Sequence, residues 1–289
     1  MTEQPLLGVI GGSGLYSFFG LEGTQSIEVD TPFGKPSSPV LVGRLKGKPI
    51  AFIARHGIGH TISPSNVNYR ANIYALKKIG VRYVVGVSAC GSLRHDYEPG
   101  NFIVPDQVVD FTRERKRSFF DEELVAHVGT ADPYCPDFSA RLIQAASCTG
   151  FEIYKGGTFI TIEGPRFSTR AESHLFRAWG ISIIGMTASP EVFLAREAEL
   201  CYATLAHITD YDVWHLSEEP VNVEMVIKTL IQNTEKAQKV IQALIGLLDN
   251  PPTCDCSSAL SKALITNPSQ ISAESRQRLA LLIDKYISL

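Results

Sequence analysis

The residues able to do chemistry fall into short stretches far apart in the chain. Gly11-Gly12-Ser13-Gly14 offers backbone amides and a hydroxyl, and Arg55-His56-Gly57 sets a permanent cation beside an imidazole. Ser88-Ala89-Cys90-Gly91 and Met186-Thr187 each supply a hydroxyl, and Asp210-Tyr211-Asp212 supplies a pair of carboxyls. Glycines let the backbone approach an anion closely, a guanidinium presents a fork of donors, and each hydroxyl adds one hydrogen bond. Brought together, these groups would seat one small oxyanion beside a pair of carboxyls. Taken singly, each has a plainer explanation: a glycine turn, an arginine paired with a structural carboxylate, a polar turn after a strand.

The glycine run does not read as a dinucleotide loop. That fingerprint needs a third glycine where Ser17 stands, and a second strand where the turn-rich "TPFGKPSS" follows. A triphosphate loop fails as well, because no Gly-Lys-Ser/Thr follows. A nicotinamide-dependent oxidoreductase is therefore a remote alternative. A nucleoside hydrolase would carry an aspartate-rich calcium site, and none is found.

The elements that must position these residues alternate between helix and strand patterns. Ser65 is expected to cap a helix with apolar positions Tyr69, Ile73 and Leu76 that stops at Gly80, followed by a β-branched run over 81–92. Thr169 and Glu172 form a capping box, Gly180 ends that helix, and a buried strand is expected over 181–191. A third helix leads into the strand "CYATLAHITDYD" (201–212). Continuous apolar strands imply a sheet covered on both faces, hence an α/β fold with a mostly parallel sheet. In such sheets ligands gather at the carboxyl ends of the strands, where the reactive stretches lie. A long helix is expected over 221–248, with Val223, Val226 and Ile227 on one face, ended by Pro251 and Pro252. The division expected is a catalytic domain over 1–250 and a tail over 251–289 with one helix, 272–286, packed on that domain or on a partner subunit.

With 289 residues, 44% hydrophobic and 20% charged, the chain has ordinary globular composition. A net charge of −3 provides no basic field for nucleic acid or an anionic membrane. No apolar run approaches the roughly 18 to 20 residues that span a bilayer, and Met1 to Pro5 lacks a basic signal start, so a cytoplasmic protein is expected. The cysteines stand at 90, 135, 148, 201, 254 and 256, without paired CxxC units, so no zinc site is expected and most should act as small apolar residues.

The ordered blocks "GVIGGSGLY", "ARHGIGHTISPSNVNYRANIYALK", "SACGSL", "TIEGPRFSTRAES" and "MTASPEVFLAREAELCYATLAHITDYD", then Trp214, resemble the 5′-methylthioadenosine phosphorylases of the trimeric purine nucleoside phosphorylase superfamily. The resemblance runs from about Leu7 to Leu248. It implies a phosphorylase-type mixed sheet, partly barrel-like and flanked by helices, in a homotrimer that can pair into a dimer of trimers. It implies phosphorolysis of methylthioadenosine to adenine and 5-methylthioribose 1-phosphate, with inorganic phosphate as co-substrate and neither metal nor organic cofactor. Broader action on adenosine, inosine or methylthioinosine is the alternative.

Residue by residue, the resemblance assigns phosphate binding to Ser13, Arg55, His56, Ser88 and Thr187, with Ala89 lining the pocket. Threonine is the commoner family residue at 13 and 88, and serine keeps the hydroxyl. Met186 would lie against the ribose and Phe167 against the base or sugar. Asp210 would share a proton with purine N7, with Asp212 beside it. Relatives acting on 6-oxopurines carry asparagine at 210 and glutamate at Ser168, so this pairing implies an adenine reader. Val223, Val226 and Ile227 would line the 5′ pocket, and His127 would reach the 5′ group of a neighbouring subunit's substrate, with His60 behind the site. Cys254 and Cys256 match a CxC pair that takes part in disulfides in thermophilic members.

Overall fold

The computed structural model describes residues 3–12, 20–215, 223–248 and 251–287; within residues 223–231, only Thr229 has a described side chain. In chain order the elements are β1 (Leu7–Gly11), β2 (Leu21–Ile27), β3 (Val40–Leu45), β4 (Lys48–Ala54), α1 (Tyr69–Lys78), β5 (Tyr83–Ser92), β6 (Phe102–Val104), β7 (Gln107–Phe111), α2 (Pro136–Ser147), β8 (Ile153–Lys155) and β9 (Thr158–Ile162). They continue with α3 (Arg170–Ala178), β10 (Ile183–Gly185), α4 (Glu191–Glu197), β11 (Cys201–Asp210), α5 (Val223–Leu244) and α6 (Ala273–Ile283).

One sheet joins all the strands, in the order β2-β3-β4-β1-β5-β10-β9-β7, with β11 on β5 and β6, and β8 on β6. Pairings through the centre are parallel (β4-β1-β5-β11 and β10-β9-β7), whereas β2-β3-β4 run antiparallel to one another. That meander differs from the strand-helix-strand unit of a dinucleotide domain. The expected partial barrel does not close, because the strand path ends at β2 on one side and β7 on the other.

The sheet forks at β5, and the fork makes the site. One edge of β5 pairs with β1 over Tyr83–Gly86, then with β10, antiparallel, only from Gly91. The other edge holds β11 from Tyr83 to Gly91. Between Gly86 and Gly91 the first edge has no strand against it among the described residues, so Val87–Cys90 faces a gap at the centre of the sheet. A ligand site at such a split is the general expectation for α/β sheets.

The β5 and β11 side chains are buried almost throughout, as their apolar runs predict. One face packs Val84, Ala51 and Ile10 against Ile73 and Leu76 of α1, Val192 and Leu194 of α4, and Leu279 and Ile283 of α6. The other packs Val9, Val85 and Ala203 against Phe138 and Leu142 of α2 and Ala237, Ile241 and Leu244 of α5. The tail helix α6 thus docks on its own chain, each fully buried leucine or isoleucine contributing about 1.5–3 kcal/mol.

One helix boundary and one strand depart clearly from expectation. Asn68, not Ser65, caps α1, its side chain accepting from the Ala71 amide. Ser65 instead sits in the 3-10 turn Pro64–Asn66 and donates to Glu163, a partner from a distant segment. The strand expected over 181–191 is only Ile183–Gly185, because the chain turns and α4 begins at Glu191. The capping box at Thr169 and Glu172 forms as expected, with both reciprocal bonds present. No described helix is long and apolar enough to cross a membrane.

Candidate active site

The fork in β5 opens into a cavity of about 250 Å³. Its lining gathers Arg55, His56, Ser88, Ala89 and Thr187 with Phe167, Ser168, Met186, Asp210 and Asp212, from strand ends and loops up to 157 positions apart. Ser88 and Gly91, three residues apart on β5, are about 10 Å from one another. Ser88 touches the hydroxyl group of Thr187, and Gly91 touches Asp210, so β5 spans from the hydroxyls to the carboxyls.

Arg55 follows β4 and is almost fully buried. Its Nε and Nη2 each donate 2.8 Å bonds to the two oxygens of Glu191, Nη2 also reaches the Ile10 carbonyl at 3.1 Å, and Nη1 donates to the Val87 carbonyl at 2.9 Å. The structural-carboxylate explanation is therefore present, yet it does not exhaust the side chain. Of five guanidinium hydrogens, one on Nη1 has no partner among the described residues. Arg115 is the contrast: also buried, it spends its donors on Tyr69, Met186, Ser189, Ile162 and Glu163, and so braces the Met186 loop. Glu191 is held in turn by the Tyr202 hydroxyl at 2.7 Å. Gly86 makes room for this network, because a Cβ there would lie 2.2 Å from the Tyr202 oxygen.

His56 stacks on His60 with ring centroids 4.5 Å apart, and its Nδ1 lies 3.0 Å from the Ile62 carbonyl. Burial, with the Arg55 charge second, pushes its pKa down to about 4, so the ring is neutral at pH 7. A carbonyl only accepts, which places the proton on Nδ1 and leaves Nε2 as an acceptor. Ser88 Oγ and Thr187 Oγ1 are 3.0 Å apart; one donates to the other, leaving one hydroxyl hydrogen for a third group.

At the other side, Asp210 ends β11 and is buried. Thr209 Oγ1 donates to its Oδ2 at 2.6 Å and the Asp212 amide to its Oδ1 at 2.8 Å. Burial pushes its pKa up to about 6; the Asp212 charge adds in the same direction but is the smaller cause. Burial likewise raises Asp212, which lies in the left-handed region at φ 51°. Gly91 is what lets the pair approach β5, since a Cβ there would meet Asp210 Oδ1 at 2.8 Å. Trp214 clamps the turn by donating to the Ser92 carbonyl at 2.7 Å, with Arg177 over its ring.

Several lining atoms lack a partner. Asp212 Oδ2, Ser168 Oγ and His207 Nδ1 are buried without a hydrogen bond among the described residues, and all three residues line this cavity. Buried polar groups are nearly always satisfied, so orphans converging on one cavity mark where a polar ligand binds.

Not every expected residue is found here. Ser13 lies outside the described residues, as do the side chains of Val223, Val226 and Ile227; from α5, Thr234 and Ala237 are seen to line the cavity. His127 lines a different groove, with Arg117 and Glu197, away from this chain's own cavity. Phe167 is 37% exposed at the margin, and Met186 is half-buried with its sulfur beside Gly164. Glu191, Arg115, Thr209 and His207 are not indicated by the sequence; Glu191 opens a helix in which three of seven residues are charged, so nothing local marks it as buried against a cation.

The phosphorylase superfamily profile matches residues 6–246. S-methyl-5′-thioadenosine phosphorylase of Geobacter sulfurreducens is 48% identical over 98% of this chain and 100% of its own length, and that of Koribacter versatilis is 45% identical over 98% and 97%. The chain belongs to the methylthioadenosine phosphorylase family of that superfamily. A solved methylthioadenosine phosphorylase from an antarctic soil metagenomic library superposes with a TM-score of 0.92 at 44% identity, covering 97% of this phosphorylase and all of that chain. The Schistosoma mansoni enzyme, solved with adenine, gives 0.81 at 36% identity, covering 89% and 96%. As a member of this family the chain is a pentosyltransferase of the purine nucleoside phosphorylase type.

Proposed function

We propose that this phosphorylase cleaves 5′-methylthioadenosine with inorganic phosphate, giving adenine and 5-methylthioribose 1-phosphate. The observation that carries this is Asp210: a buried carboxyl with its pKa pushed up to about 6, in the cavity that also holds the Arg55, Ser88 and Thr187 donors. Breaking an N-glycosidic bond leaves positive charge on the sugar and negative charge on the base. Protonated Asp210 donates to purine N7 as that negative charge grows, contributing about two to four powers of ten. Phosphate, held by the spare Arg55 hydrogen and the free hydroxyl hydrogen, attacks the sugar carbon. His56 Nε2 accepts from the protonated oxygen of hydrogen phosphate. Asp212 Oδ2 accepts from a 6-amino group, whereas a 6-oxo group would set oxygen against oxygen. Ser168 Oγ can pair with the base edge.

The phosphate is a substrate, and the chemistry calls on no organic cofactor. We assign the 5′ pocket to the α5 face, including Val223, Val226 and Ile227, where a hydroxyl would lose its water at about 1–3 kcal/mol if left unpaired. Adenosine should thus be the poorer substrate. A broader activity has one specific support: a neighbour from Schistosoma mansoni, 37% identical, is named adenosine/methylthioadenosine phosphorylase. We propose a homotrimer able to pair into a hexamer, in which His127, lining a groove other than its own chain's cavity, reaches the cavity of a neighbour. Six free thiols fit a reducing, cytoplasmic setting.

The test is base release from methylthioadenosine, adenosine and inosine, each with and without phosphate. Adenine should appear only with phosphate and fastest from methylthioadenosine. Release without phosphate, or inosine as the best substrate, would overturn the proposal.

A further inference from the structure

Away from the cavity, four sulfur atoms converge. The Sγ atoms of Cys135, Cys201, Cys254 and Cys256 all lie within 4.8 Å of one another, three of the residues buried and Cys254 half-buried. They come from separate segments. Cys135 is the N-cap of α2, Cys201 begins β11, and Cys254 and Cys256 flank the start of the tail's 3-10 turn Asp255–Ser258. The backbone holds them in place independently of sulfur: the Cys135 amide donates to the Tyr202 carbonyl at 2.9 Å and the Cys201 amide to the Arg82 carbonyl at 3.0 Å. All six cysteines are free in this structure, and the close sulfur contact is Cys201–Cys254 at 3.1 Å.

We propose that Cys135, Cys201, Cys254 and Cys256 form a closed tetrathiolate site for a zinc ion that staples the tail to α2 and β11. This inference stands apart from the proposed reaction. Zinc–sulfur bonds of about 2.3 Å in a tetrahedron need sulfur–sulfur edges of about 3.8 Å. The contact of 3.1 Å and the limit of 4.8 Å bracket that edge, so small side-chain adjustments suffice. Thiolates are soft ligands that select zinc over magnesium or calcium. Four thiolates around a dication leave two negative charges in a buried place, and the surroundings answer them. Arg196 Nη1 lies 3.7 Å from Cys256 Sγ, and the Phe138 amide at the start of α2 donates to Cys135 Sγ at 3.4 Å. The thiolate is the form of cysteine that binds a metal. Binding therefore releases a proton from each thiol still protonated.

With protein sulfur at every position, no coordination site stays open for substrate, which is the pattern of a structural rather than a catalytic zinc. Its place agrees. Cys201 and Asp210 sit at opposite ends of β11, about 30 Å apart at the rise of an extended strand. The ion would fix the start of the strand whose other end carries the acid.

The experiment uses the full chain purified under reductant and loaded with zinc, then exhaustively dialysed. Elemental analysis should find about one zinc per chain. Cobalt in its place should give the intense red d–d bands and near-ultraviolet charge-transfer band of a tetrahedral tetrathiolate. Cys256→Ser should lose both signals, and Cys148→Ser, outside the cluster and exposed, should keep both. If Cys256→Ser fails to fold, the wild-type cobalt spectrum still decides. Less than about a tenth of an equivalent of metal, a cobalt spectrum lacking thiolate charge transfer, or an intact mass showing paired loss of hydrogens under the same conditions would overturn the proposal.

Discussion

Asp210→Asn should weaken catalysis and strengthen the fold, and the two effects share one physical origin. Burial moves the Asp210 pKa from 3.8 to about 6, a shift of about 2 units and hence about 3 kcal/mol. The unfolded chain ionises this group above pH 4, whereas the folded chain keeps the proton until about pH 6. The unfolded state thus binds fewer protons in that window, so the contribution of Asp210 to stability falls as pH rises from about 4 to 6 and stays unfavourable above it. Asparagine removes the charge. Its Oδ1 can still accept from the Asp212 amide, and the Thr209 hydroxyl can turn to the Cys90 carbonyl, 3.2 Å away, while accepting from the new amide. Urea unfolding should therefore show the variant more stable by up to about 3 kcal/mol at pH 7.5, with the gain shrinking toward zero near pH 4. Phosphorolysis, followed by adenine release, should fall by about two to four powers of ten, with the phosphate KM little changed. In the parent enzyme the protonated form at residue 210 is about a tenth of molecules at pH 7 and about nine-tenths at pH 5. The fall in rate with rising pH that this causes should vanish in the variant. Turnover within tenfold of the parent, or a stability difference that does not change with pH, would refute the assignment of Asp210 as a buried acid.

Arg55→Lys removes the fork on Glu191 and should cost about 3–5 kcal/mol of stability while raising the phosphate KM, both measurable by urea unfolding and phosphate titration; an unchanged phosphate KM would move the anion site elsewhere. Phe167→Ala, at the exposed margin, should raise the nucleoside KM with little change in Tm, whereas Phe159→Ala, fully buried, should lower stability by about 3–5 kcal/mol. Equal thermal shifts for the two would contradict a ligand role for Phe167. Glu197 is buried and its pKa is pushed up to about 7, so Glu197→Gln should stabilise the fold above pH 7 and lose that advantage below about pH 4.5; thermal unfolding across that range checks it.

Much of this protein is local. The capping box at Thr169, the apolar runs of β5 and β11, the long α5 helix and the reactive residues at strand ends follow from periodicity and side-chain chemistry over a few neighbouring positions. So does the pairing of two carboxyls, since Asp210 and Asp212 stand two apart at the end of a buried strand, whereas the role proposed for Asp210 rests on the family resemblance and on its burial. What local pattern does not contain is which distant groups meet. Arg55 finds Glu191 across 136 positions, Ser65 turns to Glu163 instead of capping α1, and Arg115 spends its donors on groups 46 to 74 positions away. The cysteines at 135, 201, 254 and 256 look unrelated along the chain because their spacing follows from three elements docking, not from one turn. The elevated pKa of Asp210 is tertiary as well: it comes first from exclusion of water by the surrounding sheet and helices, and only secondarily from the adjacent carboxyl that the sequence displays. Side-chain type and short-range spacing decide what a residue can do; burial and long-range contact, which exist only once the chain has folded, decide whether it does.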